Sequence, residues 1–298
     1  MMSPAADTHE VGLSPSELRQ LEPLRLASRR SFAGRVRGER LSRNKGISIE
    51  FADYRDYSDG DDLRHLDWAI LARLDRAAIR TYQDEDDLAV YLALDASASM
   101  DFGEPSKFQH AARLAAAVGF IGLVGSDAVY PLALGHPAAP GRALRGRASH
   151  AALANWVSAW HPTGVNGLAA SLTRFAAGSA RPGMFFCISD GLDPAAPDAL
   201  RALAARGHDV VMLQVLSEIE LNPDLEGDLR LLDAETGEAV EITAHSQALR
   251  QYAENLAAHN QALEAAATRG GGRYLMSIVG EPLGLFMTRG LRRAGIVR

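Results

Sequence analysis

The sequence predicts an α/β protein built on a mostly parallel sheet with helices on both faces. The first observation is that three apolar runs have the length of strands, at residues 88–94, 183–189 and 209–216. A parallel strand reads as such a run because neither of its faces meets solvent. The second observation is that helical segments closed by glycine alternate with these runs. This alternation is typical of a parallel sheet joined by crossover helices.

An N-terminal extension precedes this pattern. A capping box at residues 14–17 begins a helix that we expect to run to about Arg29. Short stretches of β character follow at residues 46–51 and 79–83. We therefore assign residues 1–85 to a segment with its own strands, and we expect it to pack on a main domain of residues 86–298.

The main domain carries further elements in regular order. We predict helices or strands at Phe108–Val124, Ala128–Leu134, Ala151–Trp160, Leu168–Ala177, Pro194–Arg206, Ala244–Thr268 and Arg273–Ile278, and a last helix near Pro282. A β-hairpin is predicted near residues 228–242, as an antiparallel addition at the edge of the sheet. Residues 270–272 are three glycines that precede a strand. We interpret them as a flexible joint, because a phosphate loop links a strand to a helix.

Composition and charge are those of an ordinary soluble globular protein. The 298 residues carry a formal net charge of -6, which gives no general attraction to nucleic acid or to anionic membranes. The lone cysteine, Cys187, lies in an apolar strand, where a packed core thiol is expected. Residues 1–10 lack the apolar run of a signal peptide, and no segment reaches the roughly 20 apolar residues of a membrane span. We expect a cytoplasmic protein.

One stretch departs from the acidic balance. Between residues 25 and 45, eight basic residues accompany a single acid, Glu39. Such asymmetry has two interpretations: a solvated arm that pairs with the acidic segment after it, or a contact with an anionic partner. Apart from Phe32, no aromatic residue alternates with the basic ones, which argues against nucleic acid as a partner.

Two of the buried strands end in aspartate, and parallel sheets bind their ligands at the carboxyl ends of strands. These residues are Asp95 and Asp190. Ser97 and Ser99 follow Asp95 at every second position, so an extended loop points all three side chains to one side. A carboxylate and two hydroxyls suit Mg²⁺ or Mn²⁺ and suit Zn²⁺ poorly. The alternative is that the serines cap the next helix while Asp95 accepts backbone N–H bonds.

These residues resemble those of a known family. Asp95–Ser99 and Ser189–Gly191, each after an apolar strand, are similar to the metal-ion-dependent adhesion site of von Willebrand factor A domains. The polar stretch Tyr54–Trp68 is similar to the signature of a bacterial family, domain of unknown function number fifty-eight, whose members contain an A-like domain. The segment Asp233–Gly237 also fits that family. The resemblance covers roughly residues 30–290.

The resemblance implies a Rossmann-like, doubly wound sheet of the von Willebrand factor A type. It implies Mg²⁺ or Mn²⁺ bound by Asp95, Ser97 and Ser99, with a more distal contribution from Asp190. It also implies a partner, an AAA+ ATPase of the MoxR type, and a chaperone-like or assembly role. This sequence departs from the family at the second metal loop, where Asn166 stands in place of the expected threonine. An amide oxygen can ligate a hard cation, so we include Asn166 as a ligand and expect weak binding.

The resulting prediction is a non-enzymatic, metal-dependent protein-binding module. Hydroxyl ligands leave a cation incompletely neutralised, so an acidic residue of a protein client can complete its coordination. The alternative is a magnesium-dependent phosphohydrolase, although Ser97 stands where aspartate-based phosphatases carry a second carboxylate. His65, Asp67 and Trp68 form either an internal network or a contact surface.

Overall fold

The chain divides into two units. The computed structural model describes residues 12–30, 50–58, 66–83, 87–136, 141–163, 167–223, 225, 227–234, 236–244 and 246–298. Residues 12–30 belong with those from Leu88 onward, and the described residues between Glu50 and Asp87 form the second unit. The sequence, in contrast, predicts one continuous N-terminal extension over residues 1–85.

The predicted strands and helices are present in the predicted order, and the structure adds two short helices, Trp68–Leu74 and Glu218–Leu221. The strands are β1 (Glu50–Asp56), β2 (Ala78–Gln83), β3 (Ala89–Asp95), β4 (Ala128–Leu134), β5 (Met184–Ser189), β6 (Asp209–Leu216), β7 (Gly227–Leu232), β8 (Ala239–Ala244) and β9 (Arg273–Ile278). The helices are α1 (Pro15–Leu21), α2 (Trp68–Leu74), α3 (Lys107–Val124), α4 (His150–Ser158), α5 (Leu168–Ala177), α6 (Ala196–Ala205), α7 (Glu218–Leu221), α8 (Ser246–Arg269), α9 (Leu283–Leu285) and α10 (Leu291–Arg293). Over the described ranges, no helix combines the length and the hydropathy that crossing a membrane requires.

The main unit contains, among the described residues, a sheet of five parallel strands in the order β4-β3-β5-β6-β9. The strands β3, β5 and β6 are buried along their whole length, as continuous apolar runs require. Val90 and Leu92 point into a core shared with α1 and α3, whereas Tyr91 and Phe185 point into a core shared with α5, α6 and α8. The predicted α/β fold with helices on both faces is confirmed.

The N-terminal helix is shorter than predicted. The capping box is present, because Ser14 accepts a hydrogen bond from the N–H of Glu17 and the Glu17 carboxylate accepts one from the N–H of Ser14. The helix ends at Leu21, not near Arg29. Pro23 explains this early end, since proline has no N–H and its ring clashes with the preceding turn of a helix.

Buried leucines at the end of α1 and just beyond it tie the N-terminal segment to the main unit. Leu21, Leu24 and Leu26 lie in the same core as α3. Leu26 also forms an antiparallel bridge with Val297, so the segment after α1 meets the last residues of the main unit on this face.

A buried ion pair fastens the opposite, amino-terminal edge of the sheet. Arg273 at the start of β9 donates to Asp209 at the start of β6 over 2.5 Å, and both side chains are at most 3% exposed. The same Asp209 oxygen accepts from the Ser28 hydroxyl at 2.6 Å and from the Arg29 N–H at 2.9 Å. The segment after α1 is therefore held to the sheet by a desolvated carboxylate, where a hydrogen bond is stronger than in water.

The second unit consists, where it is described, of the antiparallel pair β1–β2 and the helix α2. Asp67 begins this helix, because its Oδ1 accepts hydrogen bonds from the N–H groups of Ala69 and Ile70. Within the signature stretch Tyr54–Trp68, residues 59–65, and with them His65, lie outside the described residues.

The predicted hairpin is present, but it does not extend the main sheet. Strands β7 and β8 pair with each other in a separate two-stranded sheet. The place beside β6 is taken by β9, which α8 returns to the sheet as a parallel strand. The prediction of an addition at the sheet edge is therefore wrong, because the strand that follows α8 occupies that edge.

The three glycines between α8 and β9 form a packed turn. Gly271 has a φ of 81°, which favours glycine. A Cβ at residue 270 would lie 2.5 Å from the Cβ of Ala204. A Cβ at residue 272 would lie 2.6 Å from the carbonyl oxygen of Ala267 and would also collide with that of Val210. Close packing against backbone explains these glycines better than flexibility does.

We predict that Gly272→Ala destabilises the protein by about 2 kcal/mol or more, because two backbone carbonyls would have to move to admit the methyl group. Urea unfolding followed by circular dichroism measures the change. Gly12→Ala is the matched control, since a Cβ there meets nothing within 4 Å. Equal stability of the two variants would contradict the packing account.

Candidate metal site

Two aspartates come together at the carboxyl edge of the sheet. Asp95 ends β3, and Asp190 follows β5, the strand that pairs with β3 in parallel register. Asp95 is 1% exposed and Asp190 is 3% exposed. The structure therefore places both predicted residues where ligands of parallel sheets bind, but in a setting that is almost completely desolvated.

Asp95 is held by two hydrogen bonds from its own edge of the sheet. Its Oδ1 accepts from the N–H of Ser97 at 2.9 Å, and its Oδ2 accepts from the hydroxyl of Ser189 at 2.5 Å. Burial, and then the nearby charge of Asp190, raise the pKa of Asp95. In the described part of the chain, no lysine or arginine forms an ion pair with it. Asp95 is thus a buried carboxylate without a cationic partner among these residues.

The hydroxyls of Ser97 and Ser99 face each other. Their Oγ atoms are 3.1 Å apart, and Ser97 is 2% exposed. Ser97 precedes a short 3₁₀ turn at Ala98–Met100, but its side chain makes no capping bond there. Ser106 caps α3 instead. The alternative to a metal site is that Asp95 accepts backbone N–H bonds while the serines cap the next helix. The hydrogen bond from a backbone N–H to Asp95 is observed, whereas capping by Ser97 is not.

A second loop presses against Ser97. Gly135 follows β4 with a φ of 83°, and a Cβ there would lie 3.0 Å from the backbone nitrogen of Ser97. The N–H of Gly135 donates to the Ser171 hydroxyl at 3.1 Å, which fixes this loop to α5. The loop after Asp95 is therefore confined by its neighbour as well as by its own hydrogen bonds.

Asp190 has a cationic partner. Its Oδ2 accepts from Nζ of Lys107 at 2.7 Å, and its Oδ1 accepts from the N–H of Leu192 at 3.2 Å. The same ammonium also donates to Oε1 of Glu220 at 2.6 Å. Lys107 is 1% exposed, so it lies inside the protein as a bridge between two carboxylates. The resemblance implies a contribution of Asp190 to metal binding, whereas the structure shows it paired with an ammonium.

Lys107 and Glu220 are not among the residues predicted from the sequence. A signal for Lys107 exists: it is the only charged residue in the first turn of α3, and a cation is unfavourable at that helix end. Glu220 has no comparable signal, because it contacts Lys107 across 113 positions of the chain. Asn166 lies outside the described residues, so its predicted role as a ligand stays a prediction.

Side chains from β6 and α8 hold the loop after Asp190. Nε2 of Gln214 donates to the carbonyl oxygen of Asp190 at 2.8 Å and to Oδ1 of Asn260 at 2.9 Å. Nε2 of His259 lies 2.6 Å from the carbonyl oxygen of Gly191. The backbone of this loop is thereby fixed by side chains of β6 and α8.

Cys187 lies in the middle of β5 and is fully buried. Burial, followed by the charges of Asp95 and Asp190, raises the pKa of its thiol. A thiol that stays protonated is a poor nucleophile and a poor metal ligand. The prediction of a packed core thiol is confirmed.

The residues at Asp95 fit a small divalent cation. Adjacent corners of an octahedron with bonds of about 2.1 Å are about 3 Å apart. The hydroxyl oxygens of Ser97 and Ser99 are hydrogen-bonded to each other at 3.1 Å, a distance that two neighbouring ligands of such an ion would also have. Both hydroxyls and the Asp95 carboxylate are hard oxygen donors, which Mg²⁺ and Mn²⁺ prefer. The donor set therefore matches the ions predicted from the sequence.

Comparison with known proteins gives a family and two groups of similar chains. A family model described as protein of unknown function DUF58 matches residues 53–263. Uncharacterised proteins of Mycobacterium tuberculosis and Mycobacterium bovis are each 34% identical over 268 residues, covering 87% of this chain and 83% of those proteins. Among solved structures, the conserved hypothetical protein BatB from Bacteroides thetaiotaomicron is 15% identical with a TM-score of 0.43, covering 70% of this chain and 98% of that one.

We predict that Ser189→Ala lowers the free energy of unfolding by about 1–3 kcal/mol, because two buried groups lose their hydrogen-bond partner. The Asp95 carboxylate would lose a donor, and the N–H of Gly191, now 2.9 Å from the Ser189 hydroxyl, would lose its acceptor. Urea unfolding in the presence of EDTA measures the effect. Ser179→Ala, at an exposed position, is the control and should change stability by less than about 0.5 kcal/mol. Similar stabilities of the two variants would contradict the assigned role of Ser189.

Proposed function

The chain belongs to the family described as protein of unknown function DUF58, and from that premise we propose that it is a non-enzymatic protein-binding module that acts through a divalent cation. The residues that would hold Mg²⁺ or Mn²⁺ are Asp95, Ser97 and Ser99. The observation that supports this most strongly is that the Asp95 carboxylate is buried without a cationic partner among the described residues, in a loop that also carries the Ser97 and Ser99 hydroxyls. Asn166 is retained as a proposed additional ligand.

Charge balance also supports a cation at this place. The carboxylates of Asp95, Asp190 and Glu220 surround one ammonium, that of Lys107, so these four groups in their charged forms sum to two negative charges. Uncompensated charge inside a protein is costly. A divalent cation beside Asp95 would bring this sum to zero.

The chemistry that such a cation supplies is attraction for one more anionic oxygen. The Ser97 and Ser99 hydroxyls are neutral, so Asp95 is the single carboxylate that these three residues offer. An acidic side chain of a protein partner can then form a charge-assisted bond at the site. The proposed client therefore presents an aspartate or a glutamate.

The remaining parts of the proposal come from the resemblance of the sequence. We infer that the protein acts in the cytoplasm with an AAA+ ATPase of the MoxR type, in assembly or chaperone-like maturation of other proteins. The alternative, a magnesium-dependent phosphohydrolase, needs an acid and base beside the nucleophilic aspartate. Position 97 carries a hydroxyl there, which favours binding over hydrolysis.

We predict that Asp95→Asn abolishes stabilisation by Mg²⁺. The amide keeps the shape of the carboxylate, but it has no charge and only one oxygen that can accept hydrogen bonds or bind a cation. For the wild type, MgCl₂ at ten times the dissociation constant should add about 1.4 kcal/mol of stability. Thermal unfolding in EDTA and in MgCl₂, with calorimetric titration of both proteins, measures these effects.

Ser99→Ala should weaken Mg²⁺ binding while leaving Asp95 and its two hydrogen bonds in place, and Ser179→Ala should leave it unchanged. A Mg²⁺-induced shift that is equal in Asp95→Asn and in the wild type would contradict the proposed site. A pull-down of the MoxR-type ATPase in Mg²⁺ and in EDTA tests the partner. Hydrolysis of p-nitrophenyl phosphate that requires Mg²⁺ and is lost in Asp95→Asn would favour the phosphohydrolase.

A further inference from the structure

We propose that Lys107 determines what the cation site requires from its partner, by keeping Asp190 from serving as a second carboxylate for the ion. This inference rests on the proposed function and deepens it. The ammonium of Lys107 occupies Oδ2 of Asp190 at 2.7 Å, and the N–H of Leu192 occupies Oδ1. The cation is left with one coordinating carboxylate from this chain, that of Asp95, so an anionic ligand of a partner can join it in the coordination shell.

The position of Lys107 shows that its charge is built into the fold. The side chain is among the largest of the fully buried ones in the described part of the chain, and its ammonium lies 5.7 Å from the centre of the Phe102 ring. Lysine is almost never buried to this degree unless it is paired. Burial alone would lower the pKa of Lys107, but Asp190 and Glu220 raise it on balance, so the group carries its charge.

Glu220 fixes the ammonium from the other side. Its Oε1 accepts from Lys107 at 2.6 Å, while its Oε2 accepts from the N–H of Ser217 at 2.8 Å and from the Ser217 hydroxyl at 2.9 Å. The Tyr252 hydroxyl of α8 donates to the carbonyl oxygen of Glu220 at 2.8 Å. With Glu220 anchored in α7 and tied to α8, the ammonium has little freedom to leave Asp190.

This arrangement has a consequence for selectivity. If Asp190 were free, two carboxylates would neutralise a divalent ion at the site, and an acidic partner would gain little. With Lys107 in place, the carboxylates that coordinate the ion do not cancel its whole charge. The protein therefore binds the ion less tightly, and the bound ion attracts an anionic ligand more strongly. The weak metal binding expected from the sequence then has a second cause besides Asn166.

The test is Lys107→Met in the full chain, which removes the ammonium and keeps a side chain of similar length. Calorimetric titration with MnCl₂ and with MgCl₂ should show binding about tenfold tighter than in the wild type, because Asp190 becomes available and the local charge is one unit more negative. In EDTA the variant should unfold at a lower temperature than the wild type. Added Mg²⁺ should raise its unfolding temperature more than that of the wild type.

The double variant Lys107→Met with Asp190→Asn separates this role from a structural one. If the tighter binding arises from the freed carboxylate, the second change removes it, whereas a general effect of methionine on packing would persist. Tighter binding that survives the loss of Asp190 would overturn the inference, and so would an affinity of Lys107→Met within about twofold of the wild type.

A second variant, Glu220→Gln, covers the case in which Lys107→Met does not fold. Of the two carboxylates that Lys107 contacts, this variant keeps only that of Asp190, and it removes one negative charge near the site. The Mn²⁺ affinity should therefore fall about threefold or more. Unchanged or tighter Mn²⁺ binding would overturn the inference.

The outcomes separate the two proposals. Wild-type protein that binds no Mn²⁺ overturns the cation site itself. Wild-type binding combined with unaltered affinity in the variants overturns only the role of Lys107.

Discussion

The burial of carboxylates at the carboxyl edge of the sheet is the constraint on which the rest of this structure depends. Strands β3 and β5 are buried on both faces, so Asp95 and Asp190 leave them within the protein and not at its surface. A desolvated carboxylate needs donors or a cation, because water no longer supplies them. Asp190 obtains an ammonium, whereas Asp95 obtains one hydroxyl and one backbone N–H. The two neighbouring acids are therefore satisfied in different ways, and the difference leaves Asp95 without a cationic partner among the described residues.

The same constraint explains the course of α3 and of the segment after β6. A lysine in the first turn of a helix works against the helix dipole, which favours anions at that end. Two ion pairs offset this cost, because Lys107 reaches Asp190 on one side and Glu220 on the other. Glu220 in turn belongs to the capping box of α7, so one carboxylate both begins a helix and holds the ammonium. The site is thus assembled from β3, β5, α3 and α7, and a change in any one of them would alter its charge.

The features that could be predicted are those whose cause is local in the sequence. Apolar runs indicate buried strands because burial on both faces leaves no polar position, and Asp95, Ser97 and Ser99 are found together since they follow one strand. The bonds of Lys107 to Asp190 and to Glu220 span 83 and 113 positions, and no spacing rule reaches that far. The place of the hairpin was mispredicted for a similar reason, because the competing strand β9 comes later in the chain. Pro23, in contrast, is a local signal for the end of α1.

The backbone around Asp95 and Asp190 is held by many contacts, so changes of charge should affect binding at this site more than changes of shape do. Gln214 and His259 fix the backbone after Asp190, and Gly135 confines the loop after Asp95. A cation or a partner would therefore find these loops already in position, and little of the binding free energy would be spent on ordering them. What remains variable is the balance between three carboxylates and one ammonium. Under the proposed function, that balance decides how much positive charge a bound ion presents to a partner. Lys107, remote in sequence from both acids that it contacts, is then as much a part of the recognition chemistry as Asp95.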